Sequence, residues 1–357
     1  MIRWRVGDVV AVTDSASAGQ VIELMVRVEG EDRQALAYPA LVGTPQVGDR
    51  VLLNTTAQDL GLGTGGYALV VATPDRLPRD VADRGHLVKA RYTPMQAVVL
   101  GADEQDSPYH DQLREADDLD GMPVVVSDLH SALPAIVAGV RMERPSARVA
   151  YVMTDGGALP VWFSNTVTAL RAAKWIVGTV TVGQAYGGDL EAVTVHTGLL
   201  AALHALQADI AVVVQGPGNL GTGTRWGFSG VAAGDAVNAA AVLGGRPVAA
   251  LRVSAVDVRE RHRGVSHHSL TAYGRVALAS ADVAVPQLDG PIGAEVRAAA
   301  ASLEERHRIV DVALDGLEEA LRAAPVPMSS MGRGYDDDPA AFLASAAAGR
   351  HAAALLG

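Results

Sequence analysis

The stretch Arg259-Glu260-Arg261-His262-Arg263-Gly264-Val265-Ser266-His267-His268-Ser269 gathers three arginines and three histidines in a chain whose formal net charge is −11. Arginine grips phosphate or carboxylate through paired hydrogen bonds, and histidine serves near neutral pH as acid, base or metal ligand. Arg263 and His267 are therefore candidates for holding an anion, and His268 for proton transfer. On a strand, neighbours such as His267 and His268 point to opposite faces, so the expectation is anion binding rather than one shared metal ion. The alternative is a solvated charged loop.

A second unusual stretch runs Gly216-Pro217-Gly218-Asn219-Leu220-Gly221-Thr222-Gly223-Thr224-Arg225-Trp226-Gly227-Phe228-Ser229-Gly230. Glycines let backbone N–H groups close around an anion, and Thr222, Thr224 and Arg225 add side-chain donors. Gly216, Gly218, Gly221 and Gly223 with those three residues form the candidate ligand loop. Residues 216–221 match G-x-G-x-x-G, but a dinucleotide loop passes directly into a helix, whereas this one continues through more glycines. A nicotinamide oxidoreductase rests on that match alone. A long turn that needs positive φ is the structural alternative.

Asp128, Asp155 and Asp189 each follow an apolar run. They can share a divalent ion, for which Mg2+ is the candidate, act as acid and base, or simply cap the next helix. Asp155, followed by two glycines, leads the three as a catalytic candidate, with Asp128 beside it. Trp162, Phe163, Tyr186, Trp226 and Phe228 lie in or near these loops and suit stacking on a planar ligand or anchoring of the loops. His196 and His204, on an apolar stretch, read as core histidines. A further glycine loop, Gly61-Leu62-Gly63-Thr64-Gly65-Gly66, either joins β-strands or faces the main cleft.

Composition narrows the chemistry. The chain has no cysteine, which removes thiolate nucleophiles, disulfides and thiolate metal sites. Lys89 and Lys174 are its two lysines, so Schiff-base chemistry has few candidates. The negative charge argues against nucleic acid and anionic membranes as partners. Met1-Ile2-Arg3-Trp4-Arg5 leads into an alternating strand pattern rather than a signal peptide, and a cytoplasmic location is expected. The expected partner is a small anionic metabolite, and self-association is compatible with it.

The elements that must position these residues fall into zones of different period. Residues 1–73 read as a small β-barrel-like domain with strands at Val6–Thr13, Gln20–Val28, Arg33–Leu41, Asp49–Asn54 and Tyr67–Ala72. Val6-Gly7-Asp8-Val9-Val10 recurs as Val47-Gly48-Asp49-Arg50-Val51, each read as a turn feeding a strand. Residues 74–94, with three prolines, read as a linker. From 95 to 290 apolar strands alternate with helices, including one around Leu190–Gln207, which indicates an α/β domain with a mostly parallel sheet flanked by helices. Residues 291–357 read as C-terminal helices packed on it, beginning with one long amphipathic helix over Pro291–Ala324. In such sheets ligands bind beyond the carboxyl ends of the strands, where all these loops fall.

The motifs Leu60-Gly61-Leu62-Gly63-Thr64-Gly65-Gly66-Tyr67, Tyr151-Val152-Met153-Thr154-Asp155-Gly156-Gly157-Ala158-Leu159-Pro160, Gly221-Thr222-Gly223-Thr224, Arg263-Gly264-Val265-Ser266-His267-His268 and Met331-Gly332-Arg333-Gly334 together resemble a bacterial family, the domain of unknown function numbered 3866. The motifs span nearly the whole chain. The resemblance implies one unit and no particular substrate. The residues themselves suggest an enzyme acting on a small phosphorylated or nucleotide-like metabolite, or else a non-catalytic ligand sensor or scaffold.

Overall fold

Strict alternation closes the N-terminal sheet. In the strand Ile22–Val28 the side chains of Leu24, Val26 and Val28 are buried, and Ala35 and Ala37, Val51 and Leu53, and Ala68 and Val70 repeat the pattern on other strands. Side chains spaced by two share one face, so these residues fill a single interior. The computed structural model describes residues 1–14, 19–63, 65–80 and 85–357. It shows Trp4–Asp14, Ile22–Val28, Glu31–Ala37, Arg50–Asn54 and Ala68–Ala72 as a closed five-stranded barrel. The two similar pentapeptides differ in conformation. Gly7-Asp8 lies inside the first strand, whereas Gly48, at φ +91°, makes the turn into Arg50–Asn54. The strands that carry them pair, Gly7 opposite Val51 and Asp8 opposite Arg50.

Two compact units divide the chain. One comprises Met1–Arg84, Val88–Val99 and Trp162–Thr168, and the other Gly85–Leu87, Leu100–Val161 and Ala169–Gly357. Trp162 thus belongs with the barrel unit, its ring 5.9 Å from that of Tyr38. Of the expected linker, residues 81–84 lie outside the described residues, and the remainder holds the short strand Leu87–Lys89, which pairs with Ala97–Val99. In the glycine loop of the barrel unit Gln58 Nε2 donates to Gly66 O at 2.7 Å; Thr64 lies outside the described residues.

The second unit is built on an eight-stranded parallel sheet. Across it the strands run Leu190–Glu191, Gly178–Thr181, Val149–Thr154, Ile210–Gln215, Pro123–Val126, Arg246–Ala250, Asp282–Pro286 and Arg308–Val312. Its central strands are buried on both faces and rich in valine, as expected of a sheet covered by helices. The chain leaves Pro123–Val126 toward one side of the sheet and Arg246–Ala250 toward the other. These two strands are neighbours, in register as far as Val126 and Ala249. Where the pairing ends, the buried Tyr273 hydroxyl reaches Val126 O at 2.8 Å and Ala250 O at 3.1 Å. A reversal of this kind opens a crevice beyond the carboxyl ends, the usual ligand position in open α/β sheets.

Two expected elements differ. Pro291–Ala324 is not one helix but helix Gly290–Ala301, strand Arg308–Val312 and helix Leu317–Arg322. The β-branched Ile309, Val310 and Val312 favour the extended strand, which pairs with Asp282–Pro286 as an edge. Leu190–Glu191 is likewise an edge strand, and the helix begins only at Val195, capped by Thr194. That helix buries Gly198–Ala202 and leaves His196 exposed, so His196 is not a core residue; His204 Nε2 lies 3.3 Å from Asp118 O.

The final helix, Pro339–Ala354, packs against Leu133–Glu143 at the close approach that two glycines permit. A Cβ on Gly139 would stand 2.0 Å from Ala346 O, and one on Gly349 1.9 Å from Ile136 O. Neither backbone can give way without parting the helices. Gly349→Val should therefore lower the unfolding free energy by about 2–3 kcal/mol in a denaturant titration. A midpoint equal to that of the unsubstituted protein would show that these helices do not cross at this contact.

Candidate functional site

The residue after Val126 turns a buried strand into the crevice, and Asp128 follows. Its carboxylate is 2% exposed. Gly230 allows the turn Ser229–Ala232 to lie against it, since a Cβ there would stand 2.7 Å from Asp128 Cβ. Arg252, the second residue after the neighbouring strand Arg246–Ala250, brings its guanidinium to 3.7 Å from Asp128 Oδ2. His268 Nδ1 lies 3.2 Å from the same oxygen and 3.0 Å from Arg252 NH1. Protonated Nδ1 donates to Asp128; bare Nδ1 accepts from Arg252. Asp128 Oδ1 is buried with no hydrogen-bond partner.

The histidine stretch does not form a strand across His267 and His268. Val253–Ser254 pairs with Gly264–Val265, Ser266 caps the helix His267–Thr271, and the two histidines open its first turn. Successive helical residues diverge by about 100° rather than 180°, so the rings lie only 4.5 Å apart. The turn Glu260–His262 brings a third ring beside them, at 5.0 Å from His267 and 4.9 Å from His268. His262 Nδ1 lies 2.8 Å from Ser266 Oγ. Phe228 stacks flat on His268, with ring centroids 3.7 Å apart and planes 5° apart.

Burial, reinforced by Arg252 and Arg259, pushes the His262 imidazole down to about 3, and His267 is lowered by burial and the neighbouring His268. Both shifts favour the neutral ring, and His267 Nε2 is enclosed with no hydrogen-bond partner. Among the described residues, His262, His267 and His268 are the one group of three whose ligating atoms lie within 4.8 Å of one another. Asp128, Asp155 and Asp189 do not form such a group among the described residues. Asp189 is taken by Thr179, at 2.8 Å from its N–H and 2.9 Å from its hydroxyl, and by Arg171. Asp155 is exposed and accepts Gln184 N–H at 2.8 Å. Asp155 and Asp189 are thus engaged by groups of neighbouring elements rather than by each other.

Beside Asp128 a small cleft of about 30 Å3 is lined by Asp128, Arg252, Asp257, Ser330, Arg333 and neighbouring residues. The Arg259 guanidinium and backbone hydrogen bonds, with Arg333 at 3.3 Å, hold Asp257 well below the usual carboxylate range. Asp338 accepts Ser254 Oγ at 2.6 Å and Ala255 N–H at 3.0 Å, which steadies the cleft wall.

The glycine loop is exposed from Gly221 to Trp226 and largely closes on itself. Thr222 N–H donates to Gly227 O at 2.7 Å, Gly227 N–H donates to Thr224 Oγ1 at 3.1 Å, and the two threonine hydroxyls lie 3.1 Å apart. Gly218 and Gly223 have positive φ. Gly223 faces Arg261, so this loop and the arginine loop meet there. Gly216 is buried against Ala158, while Arg225 and Arg263 are exposed. Asp128, His267, His268 and Phe228 are thus brought together, and Asp155 is bonded elsewhere.

Arg252, His262, Gln215 and Arg333 were not singled out from sequence. Arg252 sits at a strand's carboxyl end just as Asp128 does, and the same criterion would have found it. Gln215 ends the central strand Ile210–Gln215; its Nε2 donates to Asp128 O at 2.7 Å and its Oε1 is buried without a partner.

The family model described as Protein of unknown function (DUF3866) matches residues 34–349, and the chain belongs to that family. No curated protein matches it.

On the other side of Asp128, His130 Nδ1 lies 3.2 Å from Tyr151 Oη, which donates to Gln215 O at 3.3 Å. Burial lowers the His130 pKa from 6.5 to about 4. A histidine depressed in the folded state binds its proton more readily when unfolded. Its contribution is complete above pH 6.5 and is lost as pH falls toward 4, at a cost of about 2 kcal/mol for this half-buried ring. Unfolding free energies measured across that window should fall less steeply for His130→Gln than for the wild type; parallel curves would show that His130 titrates normally.

Proposed function

We propose that this DUF3866 protein is an enzyme acting on a small phosphorylated or nucleotide-like metabolite, bound in the cleft beyond the carboxyl ends of the strands Pro123–Val126 and Arg246–Ala250. The observation that carries the reading is the buried pairing of Asp128 with His268 and Arg252 at the point where the sheet's connections reverse. A carboxylate fixing an imidazole is a recurrent way to prepare the ring's other nitrogen for a reacting group. Asp128 is the orienting group here, and His268 Nε2 is the atom it prepares, for a proton or for an ion.

Donors for the substrate's anionic group come from Arg252 and Arg333 on the cleft wall, Arg333 Nε having no hydrogen-bond partner. Arg261 and the glycine loop supply a cationic rim, with Arg225 and Arg263 exposed nearby in sequence. Fork-shaped guanidinium donors suit phosphate oxygens. The cytoplasm, where such metabolites are held, is the location this reading assigns.

The test is incubation of the purified protein with a panel of phosphate esters and nucleotides, with binding and product formation followed by NMR. At least one class of compound should be turned over. Asp128→Asn should lower kcat on the order of 100-fold, and Arg333→Met should mainly raise KM. Binding without turnover would favour a sensor, and full activity in Asp128→Asn would remove the pair from the chemistry.

A further inference from the structure

We infer that His262, His267 and His268 form a binding site for a divalent transition metal of the zinc class. The inference stands on the histidine geometry and does not need the proposed substrate.

Each ring offers one nitrogen such that the three lie within 4.8 Å of one another. Nitrogens on a tetrahedral zinc at 2.0–2.1 Å stand about 3.3–3.4 Å apart. An ion would have to draw the nitrogens closer together, which calls for changes of ring orientation. His267 is best able to make them, because it is half-buried and its Nε2 is enclosed without a hydrogen-bond partner. An enclosed nitrogen with no partner is costly unless something fills its lone pair.

The other two rings are already held from behind. His268 Nδ1 lies against Asp128 and His262 Nδ1 against Ser266, which leaves Nε2 of each for an ion. Metal-bound histidines commonly carry such a carboxylate or hydroxyl partner, which fixes the tautomer and makes the ligating nitrogen more basic. With an ion on Nε2, His268 keeps its proton on Nδ1 and donates it to Asp128, so Arg252 is left to Asp128 as a counter-ion.

Donor type selects the metal. Three imidazoles suit Zn2+ and its neighbours, whereas Mg2+ demands oxygen ligands. Three protein ligands also leave a coordination position for water or a substrate oxygen, the arrangement of catalytic rather than structural zinc. An ion there would also add positive charge close to Asp128, to which His268 bonds and which Arg252 already faces.

The experiment uses untagged full-length protein stripped with chelator and titrated with Zn2+ in a calorimeter, with Co2+ as a visible-absorption probe. One equivalent of Zn2+ should bind, and Co2+ should give the intense bands of a low-coordinate site. His267→Gln, chosen because that ring is half-exposed, and His262→Asn should each weaken binding on the order of 100-fold, and Asp128→Asn about 10–100-fold. Thermal unfolding of each variant confirms that it is folded. Absence of one-equivalent binding, unchanged affinity in a folded His267→Gln variant, or Mg2+ competing at equal concentration would each overturn the inference. Any of these results leaves the substrate panel to be judged separately, because the titration contains no substrate.

Discussion

A carboxylate taken out of water must be compensated, and the centre of the second unit is organised around doing so for Asp128. The cost of an unpaired buried charge is several kcal/mol. Arg252 and His268 approach one oxygen, while the backbone carbonyl of the same residue accepts from Gln215. Arg252 and His268 come from the connection that follows Arg246–Ala250, Gln215 ends the strand Ile210–Gln215, and Gly230, in the connection after that strand, lies against Asp128 itself. Side-chain chemistry at one residue thus ties together loops that the parallel sheet only brings near one another. The same compensation leaves Asp128 Oδ1 unanswered, an imbalance more typical of a site that acts on something than of a completed core.

Charge in the cleft is nearly balanced. Arg252 faces Asp128, Arg259 faces Asp257, and Arg333 lies between Asp257 and Asp338. The arginines therefore contribute hydrogen-bond geometry more than net attraction. A dication on the histidines changes the sign of the local field without disturbing the ion pairs, which links the two functional inferences physically while leaving each open to separate test.

Periodicity made the fold legible and left local bonding hidden. The valine runs at 124–126 and 212–214 are buried on both faces, and alternation in the barrel strands is likewise plain in the sequence. The edge strand Arg308–Val312 was masked by alanine-rich sequence before it and acidic helix-forming sequence after it, although Ile309-Val310 marked it. At the site, side-chain types identified Asp128, His267 and His268, but spacing could not say that Ser266 caps a helix. Treating the two histidines as strand residues placed them on opposite faces, whereas the cap rotates them to the same side. Nor could spacing say that Thr222 and Thr224 bond within their own turn, as a threonine in a glycine-rich turn often does.

The central claim is that Asp128 orients His268 through Nδ1. Nitrogen NMR of the imidazole side chains in metal-free protein at neutral pH tests it directly, because the two ring nitrogens shift according to which one carries the proton. The His268 proton should be on Nδ1, and Asp128→Asn should change that signal. A proton on Nε2, with Nδ1 accepting from Arg252 and a signal indifferent to Asp128→Asn, would contradict it.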